Sequence, residues 1–219
     1  MSQRILVWDL PTRVFHWSFA LTFAGAYLTA ESERWQPVHL RLGYTFLILL
    51  AFRLVWGLVG TRYARFADFV RGPRATLDYL RGLLQGRPQP YLGHNPAGAV
   101  AILSLLLLGA MVALSGWVLD SRWGGEPAEE WHEVAANLML ALVGLHVLGV
   151  LVSSWLHREN LVRAMITGRK QGPSAAAIGD AKPWLAWLLL AGLAGFWGWD
   201  TPSLSSLPAT ASGEAVDDD

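Results

Sequence analysis

The sequence predicts an all-α integral membrane protein, a bundle of four transmembrane helices followed by a fifth C-terminal transmembrane helix. Of the 219 residues, 53% are hydrophobic and only 16% are charged, whereas a soluble domain carries about 25% charged residues. Five apolar segments each approach the ~20 residues that a membrane crossing requires. The twelve tryptophans fit the same class, because indole rings favour the membrane interface.

The five segments cover residues 14–30, 40–60, 97–119, 133–155 and 183–199. The first four have the length and apolar content of membrane spans. The fifth is shorter, but tryptophans stand at both of its ends, like the aromatic belts of a spanning helix. A hairpin or an interfacial helix is the alternative for this fifth segment.

These segments divide the chain into a membrane domain, a linker, the fifth helix and a flexible acidic tail, at residues 1–170, 171–182, 183–199 and 200–219. Within the membrane domain, leucines recur at helical spacing after Pro73, which suits a first helical position. We expect a short amphipathic helix there, on the inner membrane surface. Asn95 followed by Pro96 is a start signal for the third spanning helix.

The charges of the connections predict the orientation in the membrane. Six arginines lie between the second and third segments, and three arginines and two lysines follow the fourth. Residues 30–38 and 120–131 carry mainly Glu and Asp. By the positive-inside rule, the N-terminus and both basic connections face the cytoplasm. We therefore expect a multi-pass membrane protein with its N-terminus in the cytoplasm and a retained rather than cleaved first helix.

The chain has no cysteine, which narrows the cofactors that it can hold. Disulfides, thiolate-bound iron–sulfur clusters, c-type haem attachment and cysteine-rich zinc sites are excluded. Any metal or cofactor must therefore be held by histidine or carboxylate. The formal net charge is zero, so no overall field indicates a nucleic-acid partner.

Four histidines lie inside or at the mouth of the apolar segments: His16, His39, His132 and His146. Ionisable side chains are rare in hydrocarbon and usually mark a functional path or a bound cofactor. The fourteen residues from His132 to His146 span ~21 Å and nearly four turns of one helix. Both imidazoles therefore lie on about the same helix face, one near each membrane surface.

Depth in the membrane then selects two pairs. His16 begins the first helix on the cytoplasmic side, where His146 ends the fourth. His39 begins the second helix on the outer side, at the depth of His132. Two neutral imidazoles from facing helices can ligate haem iron axially, and bundle cores are common places for such sites. We predict two haems at two depths, with hydrogen-bonded core histidines as the alternative.

Five further residues are candidates for a haem propionate or quinone site: Arg13, Arg41, Arg53, His94 and His157. Arginine pairs with carboxylates bidentately, and Arg53 lies at the depth of the inner pair on the helix that carries His39. Snorkelling to the inner surface is the alternative for Arg53. For His94 and His157, the alternative is an interfacial position.

Six stretches within residues 7–170 carry a family resemblance: VWDLPTRVFHW, HLRLGY, FRLVWGLVGTRYARF, GHNPAG, WHEVAANLMLALVGLHVLGVLV and HRENLVRAMITGRK. Together they resemble the bacterial cytochrome b561 and nickel–iron hydrogenase cytochrome b group. The resemblance implies a four-helix bundle with two haem b groups, each ligated by two histidines. Carried over by motif, the ligands fall on His16, His39, His132 and His146. The resemblance does not extend over residues 183–219.

The resemblance also implies electron transfer between the membrane quinone pool and a periplasmic redox partner, such as a c-type cytochrome or a hydrogenase. We expect the quinone near the inner haem. Superoxide oxidation at the outer haem is an alternative, but the acidic outer connections disfavour it because an anion is steered by basic surfaces. A histidine-based divalent metal transporter and a membrane anchor are alternatives of other classes. The partner, the direction of electron flow and any homo-oligomer stay open.

Overall fold

A computed structural model describes residues 3–87, 89–123 and 125–199, and the predicted acidic tail lies outside these ranges. The described elements are, in chain order, β1 (Gln3–Leu6), α1 (Leu10–Thr29), α2 (Gln36–Val59), α3 (Phe66–Phe69), α4 (Pro73–Leu84), α5 (Pro96–Asp120), α6 (Gly125–Leu156), α7 (Leu161–Thr167), β2 (Arg169–Gly172) and α8 (Pro183–Gly198). Short 3-10 turns occupy Glu33–Trp35, Arg62–Ala64 and Ser174–Ala176.

All five predicted spans form helices, namely α1, α2, α5, α6 and α8. Three segments of the described chain have the length and composition of a membrane span: Glu33–Val59, Pro96–Asp120 and Gly125–Leu156. The helix α1 is 20 residues long but less apolar, because it carries Arg13 and His16. Along the bundle, α1 packs beside α2, α2 against α5, and α5 beside α6. This is the predicted four-helix arrangement.

Two polar caps fix where the helices begin at one end of the bundle. The carboxylate of Asp9 accepts a hydrogen bond from the backbone N–H of Thr12 at 2.7 Å and caps α1. The side chain of Asn95 likewise accepts from the N–H of Gly98 at 2.7 Å and caps α5, as its sequence predicts. The helix α6 begins at Gly125, earlier than the predicted residue 133. Its first turns are rich in glutamate, which the positive end of the helix dipole stabilises.

We name the two ends of the bundle by their charge. The basic end comprises the described residues 3–9, 60–87, 89–95 and 157–182 with the helix turns next to them, and the acidic end comprises residues 30–35, 120–123 and 125–133 with the helix turns next to them. At the basic end, α4 packs against the start of α5 and exposes Leu77, Leu80 and Leu84. This exposed apolar face is the one predicted for a helix on the membrane surface.

The basic end is closed by a two-stranded antiparallel ladder of β1 and β2, which the sequence analysis missed. Four-residue strands are too short to give a periodic signal. The predicted boundary at residue 170 falls within β2. Beyond it, the N–H of Ile178 donates to the carbonyl of Leu6, and the N–H of Leu10 to that of Ala181, at 2.9 and 2.8 Å. The predicted linker is therefore attached to the start of the chain.

The helix α8 packs against α1 and runs from the basic end towards the acidic end. Its 16 residues extend ~24 Å, shorter than the ~30 Å thickness of the hydrocarbon, so it is an apolar helix below the usual length of a span. Near its last turn, the indole N–H of Trp197 donates to the hydroxyl of Thr45 at 3.0 Å. Because Thr45 lies in the first half of α2, this course fits a fifth crossing better than a hairpin or an interfacial helix.

Candidate cofactor sites

The four histidines meet in the two pairs that depth predicts. The ring centroids of His39 and His132 are 6.3 Å apart in the acidic-end half of the bundle. Those of His16 and His146 are 6.5 Å apart in the basic-end half. Each pair joins α6 to one other helix, α2 in the first case and α1 in the second. Their role as haem ligands stays a prediction.

The spacing within each pair fits a single metal ion held between two imidazoles. A nitrogen–metal bond of about 2.0 Å on each side, plus roughly 1.1 Å from nitrogen to ring centre, separates ring centres by about 6.2 Å. The observed separations of 6.3 and 6.5 Å lie close to this value. Two axial imidazoles are the ligand set of a bis-histidine haem, whose porphyrin supplies the remaining nitrogens. The residues present therefore fit a haem at each depth.

Open space borders one of the ligands on its own helix. A Cβ atom added at Gly43, one turn after His39, would meet no atom within 4 Å. Gly144 and Gly149, which bracket His146 in sequence, are exposed on the surface of α6, so the open space around them does not mark a pocket beside that ligand.

A hydrogen bond fixes the tautomer of His39. Its Nδ1 lies 2.9 Å from the backbone carbonyl oxygen of Ala26. A carbonyl oxygen can only accept, so Nδ1 carries the ring proton. The other ring nitrogen, Nε2, then keeps its lone pair for a metal, which is the usual arrangement of a metal-bound histidine.

The ring of His132 lies against α5. Its Nδ1 is 3.0 Å from the hydroxyl oxygen of Ser115, and that hydroxyl donates to the carbonyl of Met111 at 2.7 Å. A Cβ atom added at Gly116 would lie 2.9 Å from Cε1 of His132, so the ring needs a glycine there. The roles of Ser115 and Gly116 could not be predicted from the sequence, because an apolar helix does not show which of its sides faces a histidine elsewhere in the chain.

The half-buried basic-end pair is held by packing rather than by hydrogen bonds within the described part of the chain. The Nδ1 of His16 is buried and has no hydrogen-bond partner in the described part of the chain. Its ring packs edge-on against Trp17, with centroids 5.0 Å apart. No hydrogen bond found among the described residues involves a ring nitrogen of His146. The orientation of this pair is therefore less constrained than that of the acidic-end pair.

Three more buried nitrogens near the basic end lack partners among the described residues: Nε of Arg13, Nη1 of Arg53 and Nδ1 of His94. Arg53 is 3% exposed, with its guanidinium carbon 4.9 Å from the ring centre of Phe66, so it does not snorkel to the surface. His94 packs between Trp8 and Phe69 and forms part of the wall of a cavity of about 310 Å³. Burial, together with the positive charge of Arg53, lowers the pKa of His94 to about 3. An oxygen acceptor would satisfy the arginine.

The other three candidates bind backbone carbonyls at the ends of the bundle. Their partners are Ile166 for Arg13, Trp197 and Trp199 for Arg41, and Ser153 and Gln89 for His157. The guanidinium of Arg41 thereby caps the last turn of α8, and that of Arg13 the last turn of α7. Their roles at a propionate or quinone site stay predictions.

Asp9 is a buried carboxylate that the sequence analysis did not single out. It is 1% exposed. Besides capping α1, it accepts hydrogen bonds from the indole of Trp56 at 3.2 Å and from the hydroxyl of Thr61. These contacts join the start of α1 to the end of α2. The cap itself was visible as Asp before Leu-Pro, but the partners around α2 were not.

Comparison with known proteins assigns the family. Residues 7–168 match prokaryotic cytochrome b561. A probable Ni/Fe-hydrogenase B-type cytochrome subunit of Azotobacter vinelandii is 24% identical, with 75% of this chain and 87% of the relative covered. A probable Ni/Fe-hydrogenase 1 B-type cytochrome subunit of Escherichia coli (strain K12) is 23% identical, with 74% and 88% covered. The corresponding subunit of Rhodobacter capsulatus is 21% identical, with 76% and 81% covered. No solved structure matches the chain.

The matched residues include both histidine pairs and leave α8 outside. A b-type cytochrome carries haem b, whose iron exchanges single electrons. The long apolar helices of the bundle agree with a multi-pass membrane protein. The chain therefore belongs to the prokaryotic cytochrome b561 family, the haem b proteins of membrane electron transfer.

Proposed function

We propose that this chain carries electrons across the membrane through two haem b groups, between the quinone pool and a periplasmic redox partner. The observation that carries the proposal is the geometry of the two histidine pairs. One pair lies in each half of the bundle, with ring centres 6.3 and 6.5 Å apart. A single pair would serve one redox site on one side of the membrane, whereas two pairs at two depths support passage between both sides.

The four histidines hold and orient the haems, His39 with His132 at the acidic end and His16 with His146 at the basic end. Each haem, when bound, supplies a reversible one-electron couple. Between the two depths lies an apolar cluster that includes Phe23, Phe46 and Met139. The rings of Phe19 and Phe46 are stacked there with centroids 4.1 Å apart.

The quinone site belongs at the basic end in this proposal. The Nη1 of Arg53 and the Nδ1 of His94 are buried there without partners in the described chain. A haem propionate or a quinone carbonyl would give either group the oxygen acceptor that it lacks. The positive-inside rule places the same end in the cytoplasm, with the N-terminus, and the membrane is then the inner membrane of a bacterium.

A hydrogenase or a c-type cytochrome is the proposed partner at the acidic end. The support for a hydrogenase is the name of the relatives, which are hydrogenase cytochrome subunits. A divalent metal transporter has less support, because no group of three or more His, Cys, Asp or Glu within the described ranges is arranged to hold a metal ion.

The deciding experiment is a haem count on the full chain purified in detergent. We expect a reduced-minus-oxidised visible spectrum of b type and about two haems per chain by pyridine haemochrome, reducible by an added quinol. One haem per chain would mean that one histidine pair is not a site. A folded chain without haem, expressed with haem available, would overturn the proposal.

A further inference from the structure

We propose that Ser115 is a positioning residue for the acidic-end haem, which it acts on through His132. By accepting the Nδ1 proton of His132, Ser115 fixes the ring and lowers the midpoint potential of that haem relative to the basic-end haem. This inference rests on the proposed function, and the experiment below separates the failure of one from the failure of the other.

The direction of the hydrogen bond follows from the environment of the serine. Its hydroxyl has one proton, and the carbonyls of Met111 and Val112 lie 2.7 and 3.1 Å from its oxygen. Serines within helices commonly donate to the carbonyl one turn back. The hydroxyl proton of Ser115 is thus used within α5, and towards His132 at 3.0 Å its oxygen accepts. The backbone carbonyl of Val112 is a second acceptor for the His132 ring. His132 then presents Nε2 as a neutral donor to a metal.

Gly116 completes the contact from the neighbouring position. A Cβ atom there would lie 2.9 Å from Cε1 and 3.4 Å from Nδ1 of His132. Real Cβ atoms do not approach other atoms at 2.9 Å, and the obstacle is a ring rather than a flexible chain end. The imidazole therefore lies directly against the backbone of α5. Ser115 accepts the hydrogen bond of the His132 ring, and Gly116 leaves room for the edge of that ring.

The chemical effect is on the electron density at the iron. An imidazole whose Nδ1–H is hydrogen-bonded is a more basic ligand through Nε2. A more basic ligand stabilises oxidised iron over reduced iron, because the oxidised ion carries more positive charge. At the acidic end both ligands have this bond, His39 to the carbonyl of Ala26 and His132 to Ser115. Only the serine bond can be removed by a side-chain substitution.

The test is a spectroscopic redox titration of Ser115→Ala in the full chain. We expect two haems per chain and a rise of one midpoint potential by about 59 mV, which is a tenfold change in the reduced-to-oxidised ratio of a one-electron couple. The second potential should not move. Ser115→Thr retains a hydroxyl that can bond in the same way and should restore the lower value. Ser104→Ala, the same change elsewhere on α5, is the matched control.

A His16→Ala background identifies the haem that responds, because it retains only the acidic-end site. In that background, Ser115→Ala should raise the one remaining midpoint potential by the same amount, a tenfold change in the reduced-to-oxidised ratio. Loss of the acidic-end haem in Ser115→Ala, with retention in Ser115→Thr, would also support positioning by the hydroxyl. Two retained haems with unchanged potentials, or an equal shift in both, would overturn the inference and leave the proposed function intact. A wild-type chain without haem would instead overturn the proposed function.

Discussion

At the acidic end, the Nδ1 atoms of His39 and His132 are hydrogen-bonded to Ala26 and Ser115, respectively. At the basic end, by contrast, the Nδ1 of His16 is buried without a partner among the described residues. The same two-histidine geometry is thus supported by hydrogen bonds in one half and by packing in the other. Hydrogen-bonded ligands favour oxidised iron. We therefore expect the acidic-end haem to have the lower midpoint potential.

The polar groups around the two sites show the same contrast: they are hydrogen-bonded at the acidic end and lack partners at the basic end. At the acidic end the hydroxyl of Tyr44 donates to Asp120, and that of Tyr27 donates to Asn137 at 2.8 Å. At the basic end, four buried side-chain nitrogens of the described chain lack hydrogen-bond partners: Arg13 Nε, His16 Nδ1, Arg53 Nη1 and His94 Nδ1. Buried polar atoms without partners are rare and need an explanation.

A bound anionic or carbonyl group at the basic end is the explanation that we favour. The cation of Arg53 also favours reduced iron at that end, because reduction removes one positive charge. Both differences make an electron from the acidic end move downhill to the basic end. The comparison of the two ends thus predicts a direction of flow, from the periplasmic partner to quinone.

The largest expected effect is the selective loss of one haem. His39→Ala and His132→Ala should each remove the acidic-end haem and leave the other, because one axial imidazole alone does not complete the site. His16→Ala and His146→Ala should each remove the basic-end haem. Pyridine haemochrome counts should fall from about two to about one per chain in every single variant. The double variant His16→Ala with His39→Ala should hold none, and a surviving haem would disprove the pairing.

The next effect concerns the stability of the basic end. Asp9→Ala removes the cap of α1 and leaves the indole of Trp56 and the hydroxyl of Thr61 without their acceptor. We expect a loss of about 2–4 kcal/mol in the free energy of unfolding, measured by thermal or denaturant unfolding in detergent. Asp180→Asn, at an exposed aspartate of the same end, is the control. A loss within 0.5 kcal/mol of that control, which is about the usual scatter of a surface substitution, would contradict the role of Asp9.

A pH dependence should also distinguish the basic end. Because burial lowers the pKa of His94 to about 3, the unfolded chain binds a proton below pH ~6.5 that the folded chain does not. Stability should therefore be constant above pH ~6.5 and fall as the pH drops, by about 2 kcal/mol at pH 5. His94→Phe, which keeps a ring between Trp8 and Phe69, should flatten this profile between pH 7.5 and 5. An unchanged slope in His94→Phe would exclude His94 as its source.

Much of the architecture could be predicted from the sequence, because membrane spans are defined by apolar length and orientation by charge. Those two properties gave the depth of each histidine, and depth alone selected the pairs that the structure brings together. The signal before α5 was equally local, since Asn95 caps the helix that it precedes. Spans, orientation and helix caps depend on one segment at a time, so they can be predicted from a single sequence.

Contacts that depend on the rotation of a helix could not be predicted in this way. The helix α5 is apolar on all sides, so its sequence does not show that Ser115 and Gly116 face His132. The partners of Asp9 on α2 and the ladder of β1 with β2 require pairing across long stretches of chain. The early start of α6 could not be predicted because its first turns are charged, and charged stretches are typical of the connections between membrane spans.

The smallest effect that we predict is a shift in the potential of the basic-end haem. Arg53→Gln removes a buried cation and should lower that midpoint potential. At a fixed applied potential, the reduced-to-oxidised ratio of the haem should fall about tenfold, which corresponds to ~1.4 kcal/mol. Arg53→Lys should lower the potential less. Arg62→Gln, at an exposed arginine of the same end, is the control. Since Ser115→Ala should raise the other potential, the two substitutions together should narrow the difference between the two midpoints. Two midpoints that stay as far apart in this double variant as in the wild type would show that the two ends differ for another reason.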